Sequence, residues 1–228
     1  MCQTPICAPE AKPNSLPPSL LAQIPPHPAC DEALATASLH LPLSIFNHSA
    51  RVFLYALTAL QLPSPVSGVP AIEPHVLFVA CILHDIGAAS FLARVDKRFE
   101  VAGADHAAAL LRKHAISDEL IRETWLAIAA HSSPHIAEGA GGLVRLVRLA
   151  VKADFGTVAE ALKPVLSEDF VRQMEEPLPR LGVEKELGEA VVGQAREVRT
   201  KAPGGSWPGD LLRAAEAEPE WVGVNKNF

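Results

Sequence analysis

Two histidines and two aspartates stand in apolar, helix-patterned text that leaves little room for polar groups. They are His48 in FNHSARVF, the adjacent pair His84–Asp85 in ILHDIG, and Asp154 in LAVKADFGTV. A buried carboxylate is costly unless it is ion-paired, hydrogen-bonded or bound to a metal. Two imidazoles and two carboxylates drawn from three helices make a donor set for one divalent ion. Imidazole suits zinc, iron and other borderline ions, and carboxylates neutralise charge. Neighbouring residues on a helix point about 100° apart. His84 and Asp85 can therefore serve one ion only near a helix end, and Gly87, two residues on, supplies that end. Taken singly, each residue has an ordinary reading: a satisfied interior histidine, or, for Asp154, a cap or an ion-pair partner of Lys152 or Arg148. Their order, helical settings and spacings together favour the site.

The elements that must position these groups read as helices. SIFNHSARVFLYALTAL (44–60) repeats apolar residues at helical intervals, with Ser44 as its N-cap. EPHVLFVACILHDIG (73–87) reads as a helix buried nearly all round and stopped at Gly87. GADHAAALLRKHAI (103–116) follows, then SDELIRETWLAIAAH (117–131), capped by Ser117 with Asp118 and Glu119 in its first turn. GGLVRLVRLAVKADFGTVAEAL (141–162) comes next, and weaker helical text lies near 166–175, 184–199 and 208–217. No stretch alternates long enough to predict a sheet, so the fold class is all-α. Residues 1–30 carry eight prolines and read as an arm without long helices. The arm lies over the domain or over a neighbouring subunit of a homo-oligomer. Residues 31–228 are read as a single domain. A second proline-rich break at 61–74 reads as a loop near the mouth of the site, and His27, between two prolines, as solvent-facing.

Composition narrows the function classes. The chain has 228 residues, 49% of them apolar, enough for a substantial core. The net charge of −6 and the lack of a basic stripe argue against nucleic acid as a partner. The longest apolar run, Val76 to Leu83, is too short to span a bilayer. No basic segment precedes an apolar stretch at the N-terminus, so no secretory signal is expected. The cysteines, Cys2, Cys7, Cys30 and Cys81, match no zinc or disulfide framework. Reduced thiols, a cytoplasmic location and a small-molecule partner are the expectation.

These residues resemble the HD-domain superfamily, over roughly residues 44–165. NHSARV is similar to that family's H-S-x-R-V pattern, and ILHDIG to its signature. The resemblance implies an all-α helical bundle and a metal held by His48, His84, Asp85 and Asp154. A narrower resemblance is to its cyanamide hydratase branch. KRFEVAGADHAAALL (97–111) is similar to the R-F-E-x-x-G-A-D pattern there, and AIAAHSSPHIAEG (127–139) to a helix that ends in a histidine. Many two-metal phosphohydrolases of the superfamily carry a histidine where this chain has Phe99. The departure points to one metal, with zinc expected and iron or manganese accepted by the same donors.

What the resemblance implies is a hydratase. Zinc lowers the pKa of its water to about 7, and hydroxide added to a small nitrile such as cyanamide gives urea. The nitrile nitrogen must receive protons. His131 is the first choice of donor, His135 a weaker one, and Asp85 both ligates and takes a proton. Phe99, Phe46 and Trp125, with His135, are read as lining the pocket. The competing readings are a phosphohydrolase of a nucleotide or phosphate ester, a mixed-valence di-iron oxygenase, and a metal-stabilised binding module. The first would show more basic groups facing the pocket; the second needs more ligands.

Overall fold

The computed structural model describes residues 13–62, 72–218, 220, 221 and 223. Among them are eleven α-helices and no strands: α1 Pro18–Leu21, α2 Pro28–His40, α3 Leu43–Ala59, α4 Pro74–Leu83, α5 Phe99–Lys113, α6 Asp118–Ala130, α7 Ile136–Ala140, α8 Gly142–Asp154, α9 Glu168–Glu175, α10 Val183–Glu197 and α11 Trp207–Ala217. The all-α expectation holds. No described helix is long and apolar enough to cross a membrane.

Helix α3 is the centre of the bundle, with fourteen of its residues buried from Ser44 to Ala59. It packs on α4, α8 and α10. Helix α4 is buried from Val76 to Leu83 without a polar face. Such a helix has no solvent side and can only sit inside a bundle. Helix α6 begins as its sequence predicts, with the Ser117 hydroxyl accepting the Leu120 N–H.

Several boundaries differ from the sequence reading. Ser44 does not cap α3; Pro42 occupies that position, and the Ser44 hydroxyl donates to Glu186 on α10. Helix α8 ends at Asp154 and does not run on to 162, because Gly156 takes a positive φ of 85°. Residue 30 is not a boundary, since α2 runs straight through it. Proline fixes φ and suits the first position of a helix, so Pro28 starts α2 where eight prolines suggested extended chain. Leu16, Leu20, Ala29 and Cys30 are buried in the core. His27 is not solvent-facing: its Nδ1 accepts the Ala29 N–H and its ring stacks on His75 at 4.4 Å. Residues 1–12 of the expected arm, and most of the 61–74 break, lie outside the described residues.

One close approach sets the geometry after α4. A Cβ on Gly87 would stand 1.8 Å from the Phe99 carbonyl oxygen, and one on Gly103 would stand 3.1 Å from the Gly87 nitrogen. Two glycines thus let the turn after His84–Asp85 lie directly on the backbone of α5.

Candidate metal centre

Helices α4 and α6 end in the same way. Each is C-capped by a histidine, His84 and His131 respectively. Each ring folds back so that its Nδ1 lies 2.7 Å from the carbonyl oxygen three residues earlier, Cys81 for His84 and Ile128 for His131. A carbonyl only accepts, so Nδ1 carries the hydrogen and donates. The contact satisfies a helix-end carbonyl and leaves each Nε2 a bare lone pair. Asp85 follows with φ −103° and ψ 6°, off the helical path. The chain leaves the helix at this residue, and its carboxylate swings back beside the His84 ring.

His48 comes from the middle of α3. Its Nδ1 lies 2.6 Å from Asp154 Oδ2, and its Nε2 lies 3.1 Å from His84 Nε2. Asp85 Oδ2 lies 3.2 Å from His84 Nε2 and 3.6 Å from His48 Nε2. All of these side chains are buried, with His48, His84 and Asp85 at 0% exposure. His48, His84 and Asp85 form the one group of three possible ligands among the described residues.

The separations match a metal. A tetrahedral ion with bonds of about 2.0–2.1 Å holds its donors roughly 3.3 Å apart, and the three observed separations bracket that value. The hydrogen count agrees. With hydrogen on both Nδ1 atoms, the two Nε2 atoms and the Asp85 oxygens form a cluster of lone pairs. Neither Asp85 oxygen has a hydrogen-bond partner among the described residues. Buried polar groups in folded proteins are partnered with few exceptions, so this cluster calls for positive charge. Burial lowers the pKa of His48. Burial would lower His84 too, but the adjacent Asp85 carboxylate overrides it and raises that ring's affinity for a proton. A proton on His84 satisfies part of the cluster; a divalent cation satisfies all three donors.

The structure keeps Asp154 out of this group. Its carboxylate lies behind His48, on the Nδ1 side. Oδ1 accepts from Arg51 Nε at 2.6 Å, and Oδ2 accepts from Arg51 Nη2 at 2.8 Å as well as from His48. His48 and Arg51 are three apart on α3, so one carboxylate receives both. Arg51 Nη1 goes on to the Leu178 carbonyl at 2.6 Å. Arg180 donates to the Asp154 backbone oxygen and lies 3.6 Å from Oδ2. Burial would raise the Asp154 carboxyl, but the Arg51 hydrogen bonds and the His48 ring hold it well below the usual carboxylate range. Its partners are thus Arg51 and Arg180, not Lys152 or Arg148. Arg180 carried no sequence signal, since it sits in a short loop far from the motifs.

His131 stands at the other edge of the cluster, its Nε2 3.3 Å from Asp85 Oδ1. Phe99 is buried with its ring 5.8 Å from that of His131 and 5.7 Å from that of Trp207. The other pocket candidates serve elsewhere. Phe46 is wholly buried within the core, Trp125 donates its indole N–H to Asp105 on α5, and His135 is exposed with φ 64°. A ring missed in the sequence is Phe155, 4.8 Å from His48. A cavity of about 350 Å³ has walls that include Arg98, Ser132, Ile136, Arg148 and Trp207; Ser132 follows His131 in the chain. Arg148 donates to the His131 carbonyl.

Residues 45–191 match the family model of the HD domain, more than half of the chain. No curated protein matches it.

Proposed function

The chain belongs to the HD-domain family of metal-dependent enzymes, and on that premise we propose that it is a hydro-lyase adding water to a small nitrile such as cyanamide. His48, His84 and Asp85 would hold one divalent ion, with zinc the expected ion. Their fit rests on the unpartnered Asp85 oxygens and the hydrogen-free Nε2 atoms described above. Bound there, such an ion acts as a Lewis acid and makes water acidic near neutral pH. Three protein donors leave positions open, the pattern of catalytic and not structural sites.

The residues around the donors supply the rest. His131 Nε2 is free to carry a proton, and Asp85 Oδ1 at 3.3 Å stabilises the ring while it does so. His131 would then give that proton to the nitrile nitrogen as the carbon gains hydroxide, forming the neutral imidic acid; transfer of its remaining O–H proton to nitrogen by tautomerisation yields the amide, urea in the case of cyanamide, so that one water is consumed in all. Phe99 closes the apolar side next to His131 and excludes bulk water. The substrate would approach from the cavity beside Ser132 and Trp207.

The observation that carries the choice of substrate is the pairing of the arginines. Arg51 holds Asp154, Arg98 holds Glu100, Arg148 holds Glu138, and Arg180 holds Glu184. A phosphate ester brings negative charge that an enzyme stabilises with cations aimed at it. Here those guanidinium groups are already neutralised by carboxylates, which suits a small uncharged substrate. One three-donor group among the described residues likewise supports a single ion over a di-iron pair. The test is to incubate zinc-loaded protein with cyanamide and with a panel of phosphate esters. Urea release without phosphate release supports the proposal; phosphate release without urea refutes it.

A further inference from the structure

We propose that His27 and His75, stacked where the N-termini of α2 and α4 meet, form an acid-released latch that holds the first turn of α2 and the segment before it on the bundle. The latch lies outside the candidate metal centre and does not depend on what that centre does.

Hydrogen placement makes the latch. Pro28 opens α2 without a backbone N–H, and the next residue, Ala29, donates its own to His27 Nδ1 at 3.1 Å. An imidazole nitrogen accepts only while it carries no hydrogen. Serine, threonine, aspartate and asparagine, the usual caps, keep their acceptor across the neutral range; a histidine cap is lost when its ring is doubly protonated. Charge on this ring is opposed twice. It would sit at the positive end of α2, and the ring stacks on His75 at 4.4 Å with the planes 13° apart. His75 itself lies in the first turn of α4, behind Pro74, so a second helix dipole opposes charge there. His75 Nε2 is buried without a hydrogen-bond partner among the described residues, and a hydrogen placed on it gains no acceptor.

The surrounding charges do little to offset this. Glu73 Oε2 lies 3.9 Å from His75 Nδ1, but that carboxylate is exposed and its attraction is screened. At the C-terminal end of α5, His114 meets the His27 ring edge-on at 6.5 Å. Glu32 of α2 is committed to His114 Nε2 and Lys113 Nζ, each at 2.8 Å, and Asp31 is the other acid of that helix end. Burial and the neighbouring His27 hold the His75 ring below its ordinary value, against the smaller pull of Glu73. A group lowered in this way stabilises the fold above its unfolded pKa of about 6.5, and the contribution is lost as pH falls below that. Acid should thus loosen Leu16 and Leu20, which pack on the core, together with Ala29 and Cys30 in the first turn of α2.

Hydrogen exchange of the full-length protein, read by mass spectrometry, tests the latch at about pH 7.5 and about pH 5.5, on either side of the ordinary histidine value. Each rate is divided by the intrinsic rate of unfolded chain at that pH. Wild-type exchange over residues 16–33 should rise by about 3- to 30-fold at the lower pH, the span that loss of one helix cap sets, while α10 stays level. His27→Asn keeps an acceptor that does not titrate and should abolish the rise. His75→Phe keeps a ring in the stack without charge and should reduce it. No rise in wild type, a rise shared by α10, or an equal rise in His27→Asn overturns the latch. If His27→Asn does not fold, His75→Phe decides, and an undiminished rise in it overturns the latch.

Discussion

Asp85 Oδ2 lies 3.2 Å from His84 Nε2 although the two residues are consecutive in the chain. Side chains one residue apart on a helix diverge. These two converge because α4 stops at Leu83 and Asp85 leaves the helical path. A site built this way depends on both side chains. His84→Ala and Asp85→Ala should each drop bound zinc from about one ion per chain to well below half, measured by elemental analysis after dialysis. Full occupancy in both variants would remove the ligand assignment.

His131 touches the carboxylate oxygen that faces away from the other histidines. His131→Ala should therefore retain zinc while kcat for cyanamide falls by about 10²- to 10⁴-fold, the usual contribution of a positioned acid or base. Paired metal analysis and urea assays check this. An unchanged rate would dismiss it as the proton donor.

The turn after Asp85 is fixed by backbone contact. A methyl group at Gly87 meets the Phe99 carbonyl at 1.8 Å, whereas one at Gly139 meets nothing within 4 Å. Gly87→Ala should cost about 1–3 kcal/mol, as overpacking does, and Gly139→Ala should be near neutral. Urea unfolding followed by circular dichroism distinguishes them. Equal stability of the two variants would mean that the turn yields freely.

Asp154 gives metal-free protein an acid sensitivity of known sign. Its folded carboxyl sits below its ordinary value, because the Arg51 and His48 contacts outweigh burial. A group lowered in this way stabilises the fold above its unfolded pKa of about 4, and the contribution is lost as pH falls below that. Wild-type stability should thus decline more steeply below pH ~4 than that of Asp154→Asn. Parallel pH dependences in thermal unfolding would contradict the clamp.

Much of this site was legible in the sequence because it lies in patterned helices. His48, His84 and Asp85 interrupt apolar text, and the Ser117 cap places His131 one helix length later. The partner of Asp154 was not legible. Arg148 and Lys152 stand close to it in sequence, but the contact comes from Arg51 across the bundle and from Arg180 in a loop. Whether a carboxylate meets Nδ1 or shares an ion with Nε2 depends on ring orientation, which residue spacing does not encode. Helix α2 was hidden for a different reason. Its polar and apolar residues are scattered without a stripe, and its prolines mark a helix start where a density of prolines reads as extended chain. Trp125 and Phe46 carried only their aromatic character, which fits core packing as well as a pocket.

One divalent ion held by His48, His84 and Asp85 underlies the proposed chemistry. Crystals of zinc-loaded protein measured at the zinc edge test it most directly. A single anomalous peak per chain is expected, within about 2.0–2.2 Å of His48 Nε2, His84 Nε2 and an Asp85 oxygen. No peak there, or a second peak about 3.5–4 Å from the first as in two-metal sites, would contradict it.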